Sequence, residues 1–141
     1  MKFFAIGTPA PQGSKRHVGN GIMVESSKAV APWREAVAAQ AAQAFRGKGY
    51  LAPSVTLRFV LSPPKYVVTD MQRPAERQKL APWHHTKKPD LDKLVRSTFD
   101  ALKIGGVITD DSNIIAVTAV KVYALPGEPT GCEIEIREAT R

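Results

Sequence analysis

The chain has 141 residues, of which 43% are hydrophobic and 23% are charged, and its formal net charge at pH 7 is +7. This length suits one domain with a sizeable core, and the composition argues against bulk disorder. No apolar run approaches the roughly 20 residues of a membrane helix, and the single cysteine, Cys132, excludes an internal disulfide and a thiolate zinc site. Early prolines also argue against a signal peptide, so we expect a cytoplasmic protein.

The charge is unevenly distributed along the chain. Residues 1–88 contain 14 Lys and Arg against 4 Asp and Glu, whereas residues 89–141 contain 6 against 9. A basic region beside an acidic cluster is typical of a protein that binds a polyanion and also holds a cation. A soluble protein whose surface charges have no binding role would give the same counts of charged residues equally well.

A first strand is predicted over Lys2–Thr8, where aromatic and β-branched residues precede a turn rich in proline and glycine. Residues 9–21 are predicted as a loop or an irregular hairpin, and Gly21–Ser26 as a short strand. The loop carries Lys15 and Arg16, which are candidates for phosphate contacts and are otherwise solvated charges.

The clearest helix is predicted over Ala31–Gly47, which is rich in alanine, has Pro32 in its first turn and ends on glycine. Helical spacing places Trp33, Val37 and Ala41 on one face. We expect this face to be buried in the core.

The middle of the chain is predicted as a strand followed by a long basic loop. Ser54–Ser62 alternates apolar and polar residues, as a strand with one buried face does. The loop, at about residues 63–89, has five prolines and little periodicity. Its candidates for contacts with a nucleic-acid backbone are Arg73, Arg77, Lys87 and Lys88.

A second helix is predicted from Asp90 to about Lys103, followed by a Gly-Gly turn. Two strong strands, Asn113–Leu125 and Gly131–Ala139, come next and are expected to pair as a hairpin. The order of elements predicts one α+β domain over residues 1–141, with a mixed or antiparallel sheet of about four to five strands packed against two main helices.

Four aspartates lie in two pairs in this region: Asp90 with Asp92, and Asp110 with Asp111. Residues two apart share no face of a regular helix, but the first pair can converge if Asp90 is the N-cap. Whether the second pair returns to the helix start is left open by the spacing. Hard divalent cations such as Mg²⁺ take oxygen ligands from a few carboxylates and from substrate phosphates.

The same four aspartates can also be explained by structural roles alone, without a bound cation. Asp90 would cap the helix, and Asp92, Arg96 and Asp100, each four residues apart, would form surface ion pairs. The second aspartate pair would then belong to an ordinary turn. Spacing alone does not reject this explanation.

Two blocks of the chain resemble the signature of the RusA-type Holliday junction resolvases, endodeoxyribonucleases that are often encoded by prophages. The blocks are PDLDKLVRSTFDAL at residues 89–102 and GVITDDSNI at residues 106–114. The early segment GTPAPQGSKR and the two final strands also fit this family. The resemblance implies a bacterial or phage-encoded homodimer that binds four-way DNA junctions in recombination and repair. It implies symmetric cutting of two strands with Mg²⁺ or Mn²⁺.

The resemblance also assigns roles to individual residues. It implies catalytic and metal-binding carboxylates at Asp90, Asp92 and Asp111, with Asp110 as a supporting neighbour. The essential basic residue of the family, usually lysine, falls on Arg96. Arginine keeps the charge but is a poorer proton donor, so stabilisation of charge is the role that carries over.

Lys93 stands where the family usually has asparagine, and it adds a candidate DNA contact. Two rival functions are compatible with the sequence: a DNA-binding protein without catalysis, and a nuclease that acts on flaps or forks. The presence of all three carboxylates argues against the first rival, since a protein without catalysis could lose them freely. Only a comparison of substrates separates the second from a junction resolvase.

Overall fold

A four-stranded sheet and two long helices form the body of the protein. The computed structural model describes residues 1–13, 15–17, 19, 23–25, 28–47 and 49–139, with the backbone alone described for residues 15–17 and 23–25. The helices of this part of the chain are α1 (Val30–Ala44), α2 (Lys65–Met71) and α3 (Leu91–Ile104). Its strands are β1 (Lys2–Ile6), β2 (Lys15–His17), β3 (Met23–Glu25), β4 (Pro53–Leu61), β5 (Ala116–Tyr123) and β6 (Gly131–Glu138).

The main sheet has the strand order β1-β6-β4-β5. Strand β6 is antiparallel to both of its neighbours, and β5 is parallel to β4, so the sheet is mixed. Strands β2 and β3 form a separate antiparallel hairpin. The predicted α+β class with a small mixed sheet is therefore confirmed.

Helices α1 and α3 pack against each other and against one face of the sheet. The predicted core residues of α1, Trp33, Val37 and Ala41, are buried. Trp33 Nε1 donates a hydrogen bond to Thr98 Oγ1 of α3 at 3.2 Å, which satisfies a buried polar group and ties the helices together. Alternate residues of β4 complete this core: Val55, Leu57 and Phe59.

The predicted hairpin between the last two strands is wrong. Strand β4 lies between β5 and β6, and it pairs with β5 from Ser54 opposite Ala116 to Leu61 opposite Tyr123. Residues 124–130 therefore carry the chain across the end of β4. Apolar alternation indicates a strand but does not identify its neighbour, so the sequence could not exclude this topology.

The segment predicted as one loop at residues 63–89 contains regular structure. It includes α2 and a 3₁₀ turn at Ala75–Arg77. Pro64 takes the N-cap position of α2, where a fixed φ and a missing N–H do not oppose a helix. None of the helices described has the length and apolar character needed to cross a membrane.

Candidate active site at the start of helix α3

Asp90 and Asp92 both lie at the solvent-exposed start of α3. Asp90 is the N-cap residue, with an extended backbone (φ −67°, ψ 135°), and its side chain makes no capping hydrogen bond. Asp92 is in the first turn and is exposed. Acidic side chains interact favourably with the positive end of the helix dipole at this position.

The ion pairs that a structural explanation requires are largely absent from the described residues. Asp100 pairs with Arg34 of α1 at 3.6 Å instead of with Arg96. Asp90 Oδ2 lies 3.8 Å from Nζ of Lys93, which is a long contact between half-exposed groups. No ion pair within the described chain engages Asp92 or Arg96, so both charges remain available to a ligand.

The segment after β1 packs against the start of α3. Gln12 N donates to Lys93 O at 2.9 Å, and the buried Ser97 Oγ donates to Ala10 O at 2.7 Å. A cleft of about 410 Å³ opens between this segment and the residues that lead into the helix. Its walls include Thr8–Pro11 on one side and Lys88–Asp90 on the other.

Lysine side chains surround the acidic start of α3. Lys121 Nζ of β5 donates to the carbonyl oxygens of Lys87 at 2.5 Å and Pro89 at 2.8 Å, which anchors the residues that precede the helix. Lys87 and Lys88 are exposed and line a second cleft of about 470 Å³. Three of the predicted phosphate contacts therefore lie next to Asp90: Lys87, Lys88 and Lys93. Their combined positive charge favours the binding of a polyanion.

The remaining predicted DNA contacts lie elsewhere. Arg73 and Arg77 line a separate basic groove of about 580 Å³ together with Lys79. Lys15 and Arg16 are on β2, and their side chains fall outside the described part of the structure.

Asp110 and Asp111 follow the opposite end of α3. Asp110 Oδ1 accepts a hydrogen bond from Ser112 N at 3.3 Å. A hydrogen bond between the two carboxyl groups raises the pKa of Asp111 and lowers the pKa of Asp110. Lys103, near the end of α3, lowers both pKa values to a smaller extent. Two carboxyl groups that share a hydrogen bond favour a proton or a cation between them.

The donor type fits Mg²⁺ or Mn²⁺, since hard divalent cations prefer carboxylate oxygens. The described residues nevertheless contain no group of three Asp, Glu, His or Cys side chains placed around one cation position. Helix α3 has 14 residues, which makes it about 20 Å long at the standard rise, and its two ends separate Asp92 from Asp111. One chain therefore does not bring the three predicted carboxylates together.

Asp70 is an organising residue that sequence reasoning missed. It is only 1% exposed, and it accepts hydrogen bonds from Lys79 N at 2.8 Å, Leu80 N at 2.9 Å and Trp83 Nε1 at 2.8 Å. The hydrogen bond from the Lys79 backbone, with smaller contributions from Trp83, Leu80 and Arg73, lowers its pKa to about 2. Two of the donors are backbone amides, which no residue pattern reveals.

A family model described as endodeoxyribonuclease RusA matches residues 7–137 of the chain. No curated protein matches the chain. The matched region includes both aspartate pairs, the lysines around Asp90 and the segment that Asp70 organises. The whole candidate site thus lies within the part of the chain that carries the family likeness.

Proposed function

The chain belongs to the RusA endodeoxyribonuclease family, and from that premise we propose that it resolves Holliday junctions by paired, symmetric strand cuts. The cuts depend on Mg²⁺, for which Mn²⁺ can substitute, and they serve DNA recombination and repair. The observation that supports this most is the exposed start of α3, where two carboxylates stand among three lysines. Arg96 follows one turn later without an ion pair in the described chain.

In this proposal Asp90, Asp92 and Asp111, contributed by the two copies of a homodimer, bind the cation, and Asp110 supports Asp111. The cation supplies positive charge at the phosphodiester and makes water more acidic. Arg96 binds a phosphate oxygen and stabilises the negative charge that develops there in the transition state. A guanidinium is a poor proton donor in general, so we assign Arg96 no proton transfer.

Basic side chains hold the DNA backbone without reading its sequence. Lys87, Lys88 and Lys93 contact phosphates beside the scissile bond, because they surround Asp90. The separate groove at Arg73 and Arg77 suits another arm of a branched DNA, since the arms leave a junction in different directions. Lys15 and Arg16 complete the proposed set of phosphate contacts.

Two cuts on opposing strands in one binding event require two sites, so we propose a homodimer. Sedimentation equilibrium at micromolar concentration should then give about twice the 15.3 kDa chain mass. The proposed location is the cytoplasm of a bacterium, with a bacterial or phage gene as the source.

The decisive experiment compares a fixed-core four-way junction, a flap, a fork and linear duplex, each with Mg²⁺ and with EDTA. We expect paired cuts in the junction with Mg²⁺, and binding without cleavage in EDTA. Tight binding with no cleavage in any condition would instead identify a DNA-binding protein without catalysis. Preferred cleavage of the flap or fork would identify the other rival nuclease.

A further inference from the structure

The second cleft beside Asp90, of about 470 Å³, combines rings with positive charge. Besides Lys87 and Lys88, it is lined by Tyr66, His85 and Tyr123 and by residues 62–64. Phosphate alone is bound by cations and hydrogen-bond donors, and it makes no use of rings. A nucleotide of an unpaired DNA strand has both a flat face that stacks on rings and a phosphate that binds cations. The lining of this cleft is thus complementary to a nucleotide.

The side of the cleft that precedes α3 is attached to the edge of the main sheet. His84 forms a β-bridge with Val122 of β5. One residue earlier in β5, Lys121 Nζ donates a hydrogen bond to Lys87 O at 2.5 Å. These contacts hold both ends of the segment 84–87 against β5. This wall of the cleft is therefore formed before a ligand binds, which reduces the ordering cost of binding.

Tyr66 of α2 supplies an open aromatic face to the cleft. It is 56% exposed, whereas every other Phe, Tyr and Trp side chain of the described residues is buried or partly buried. An exposed ring beside lysines is typical of proteins that hold unpaired nucleic acid, because bases stack on the ring and phosphates bind the cations. Tyr66 is therefore placed to stack on a base.

His85 carries a polar atom that the described chain leaves unsatisfied. The residue is buried, and its ring centroid lies 4.4 Å from that of Tyr123. Its Nδ1 has no hydrogen-bond partner within the described chain. Burial, with a smaller contribution from Lys121, lowers the pKa of His85, so the imidazole is neutral at physiological pH and offers one donor and one acceptor. A buried nitrogen without a partner costs free energy, which a hydrogen bond to a ligand in the cleft recovers.

The cleft adjoins the candidate active site. Lys88 lines both this cleft and the one that reaches Asp90. Lys87 precedes Asp90 by three residues, a span of at most about 10 Å. A DNA strand with its scissile phosphate near Asp90 therefore passes the second cleft within a few nucleotides of the cut.

We propose that this cleft binds one unpaired base of the junction, which stacks on Tyr66 and hydrogen-bonds to His85, while Lys87 and Lys88 hold the flanking phosphates. The inference rests on the proposed function, since it takes branched DNA as the ligand. A base inside a duplex must first leave the stack, and this costs least where pairing and stacking are already interrupted. The cleft thus favours a branch point over linear duplex.

A double-mutant cycle between Tyr66 and the DNA tests the stacking. Junctions carry an abasic nucleotide at one position near the crossover, on both opposing strands, and affinity is measured in EDTA to separate binding from cleavage. For the parent, one position should weaken binding on the order of 10-fold, as expected for loss of a base stacked on a ring. Tyr66→Ala should weaken binding of the intact junction similarly, and the abasic change should then have no further effect.

Two control variants accompany this cycle. Tyr66→Phe keeps the ring and should behave as the parent. Leu51→Ala removes a side chain that is 85% exposed outside the cleft and should leave affinity unchanged.

The outcomes separate this inference from the proposed function. If Tyr66→Ala weakens intact and abasic junctions by the same factor, Tyr66 does not stack on a base and the inference is wrong. If no abasic position weakens parental binding, the cleft holds no base. Neither result affects the proposed function, which fails only if the parent does not cleave the junction with Mg²⁺.

His85→Phe tests the hydrogen bond to the base. Phenylalanine keeps a ring against Tyr123 and removes the unsatisfied nitrogen, so Tm should be unchanged or higher. Affinity for the intact junction should fall roughly 5-fold, as for loss of one hydrogen bond, and the loss should disappear with the abasic junction. Parental affinity for the intact junction, or an equal loss with both junctions, would show that His85 contacts no base.

Discussion

The segment around Asp70 and the start of α3 each place an aspartate among basic residues, but the fold uses the two carboxylates differently. Asp70 is buried and accepts hydrogen bonds from two backbone amides and an indole. Asp90 and Asp92 are exposed, and the N-cap carboxylate caps no backbone amide. Basic residues flank the aspartates in both regions, so composition alone gives no reason for the difference.

This contrast separates a carboxylate that builds the fold from one that is available to a ligand. The acceptor oxygens of Asp70 are engaged by the chain itself, which stabilises the ionised form. The carboxylates at α3 have an adjacent cleft, lysines nearby and few internal bonds. Replacing Asp70 should therefore change stability, whereas replacing Asp90 or Asp92 should change activity.

The largest effect is expected from Asp90→Asn, Asp92→Asn and Asp111→Asn. Each removes a cation ligand and a negative charge, so single-turnover cleavage of a junction should fall by roughly 100-fold or more, beyond the range for residues that only orient a ligand. Junction binding should be unchanged or tighter, because repulsion of the phosphates decreases. The matched control is Asp100→Asn on the same helix, whose carboxylate pairs with Arg34. If all three variants cleaved at the parental rate, these carboxylates would have no role in cleavage, and the contrast with the structural role of Asp70 would be wrong.

Arg96→Ala should have the next largest effect. Loss of a charge aimed at the developing phosphate anion should slow cleavage on the order of 100-fold, whereas Arg96→Lys keeps the charge and should retain most of the activity. Single-turnover rates at saturating enzyme, with junction affinity measured separately, distinguish slower chemistry from weaker binding. A parental rate for Arg96→Ala would show that this exposed side chain has no part in the reaction.

The acidic start of α3 was easier to predict from sequence than the structure around it. The helical spacing of Leu94, Thr98 and Leu102 locates α3, and all three residues are buried. The position of Asp90 before the first turn also follows from the sequence, since proline precedes it. The order of the strands could not be predicted, because β4 and β6 show similar apolar alternation whichever strands they adjoin.

The role of Asp70 was also beyond sequence reasoning. Apart from Arg73, its partners lie 9, 10 and 13 residues later, and the first two of these are backbone donors that any residue except proline could supply. The separation of Asp92 from Asp111 depends on the direction in which the chain leaves α3, which the turn residues do not specify. Both failures concern long-range geometry rather than the identification of elements.

Asp70→Asn should lower stability without lowering the activity of the folded protein. The amide cannot reproduce a carboxylate that accepts from several donors, so Tm at neutral pH should fall by several degrees. The pKa of Asp70 is lowered from 3.8 to about 2, so its ionised form stabilises the fold fully above pH 4 and progressively less as the pH falls toward 2. Thermal scans should therefore show a Tm difference between parent and variant that is constant from pH 7 to about pH 4 and then narrows. A difference that stays constant down to pH 2 would contradict this account.

The smallest effect is expected from Lys87→Ala combined with Lys88→Ala, which tests whether the lysines beside Asp90 contact DNA. Each phosphate contact releases counterions, so loss of two contacts should reduce the slope of log affinity against log salt by about 2 units, and the affinity loss should be greatest at low salt. The backbone of this segment should stay in place, because Lys121 holds the carbonyl oxygens of Lys87 and Pro89.

The matched control for this last test is the double variant Lys2→Ala and Arg137→Ala. It also removes two positive charges, but these side chains pair with Glu133 and Glu135 on the sheet. If the lysines act only through net charge, both double variants should shift affinity and slope equally. If Lys87 and Lys88 touch phosphates, only their loss should flatten the slope, because counterion release follows the number of phosphates contacted. An unchanged slope and affinity in the Lys87 and Lys88 variant would show that this face points away from the DNA, and the basic surroundings of Asp90 would then need another explanation.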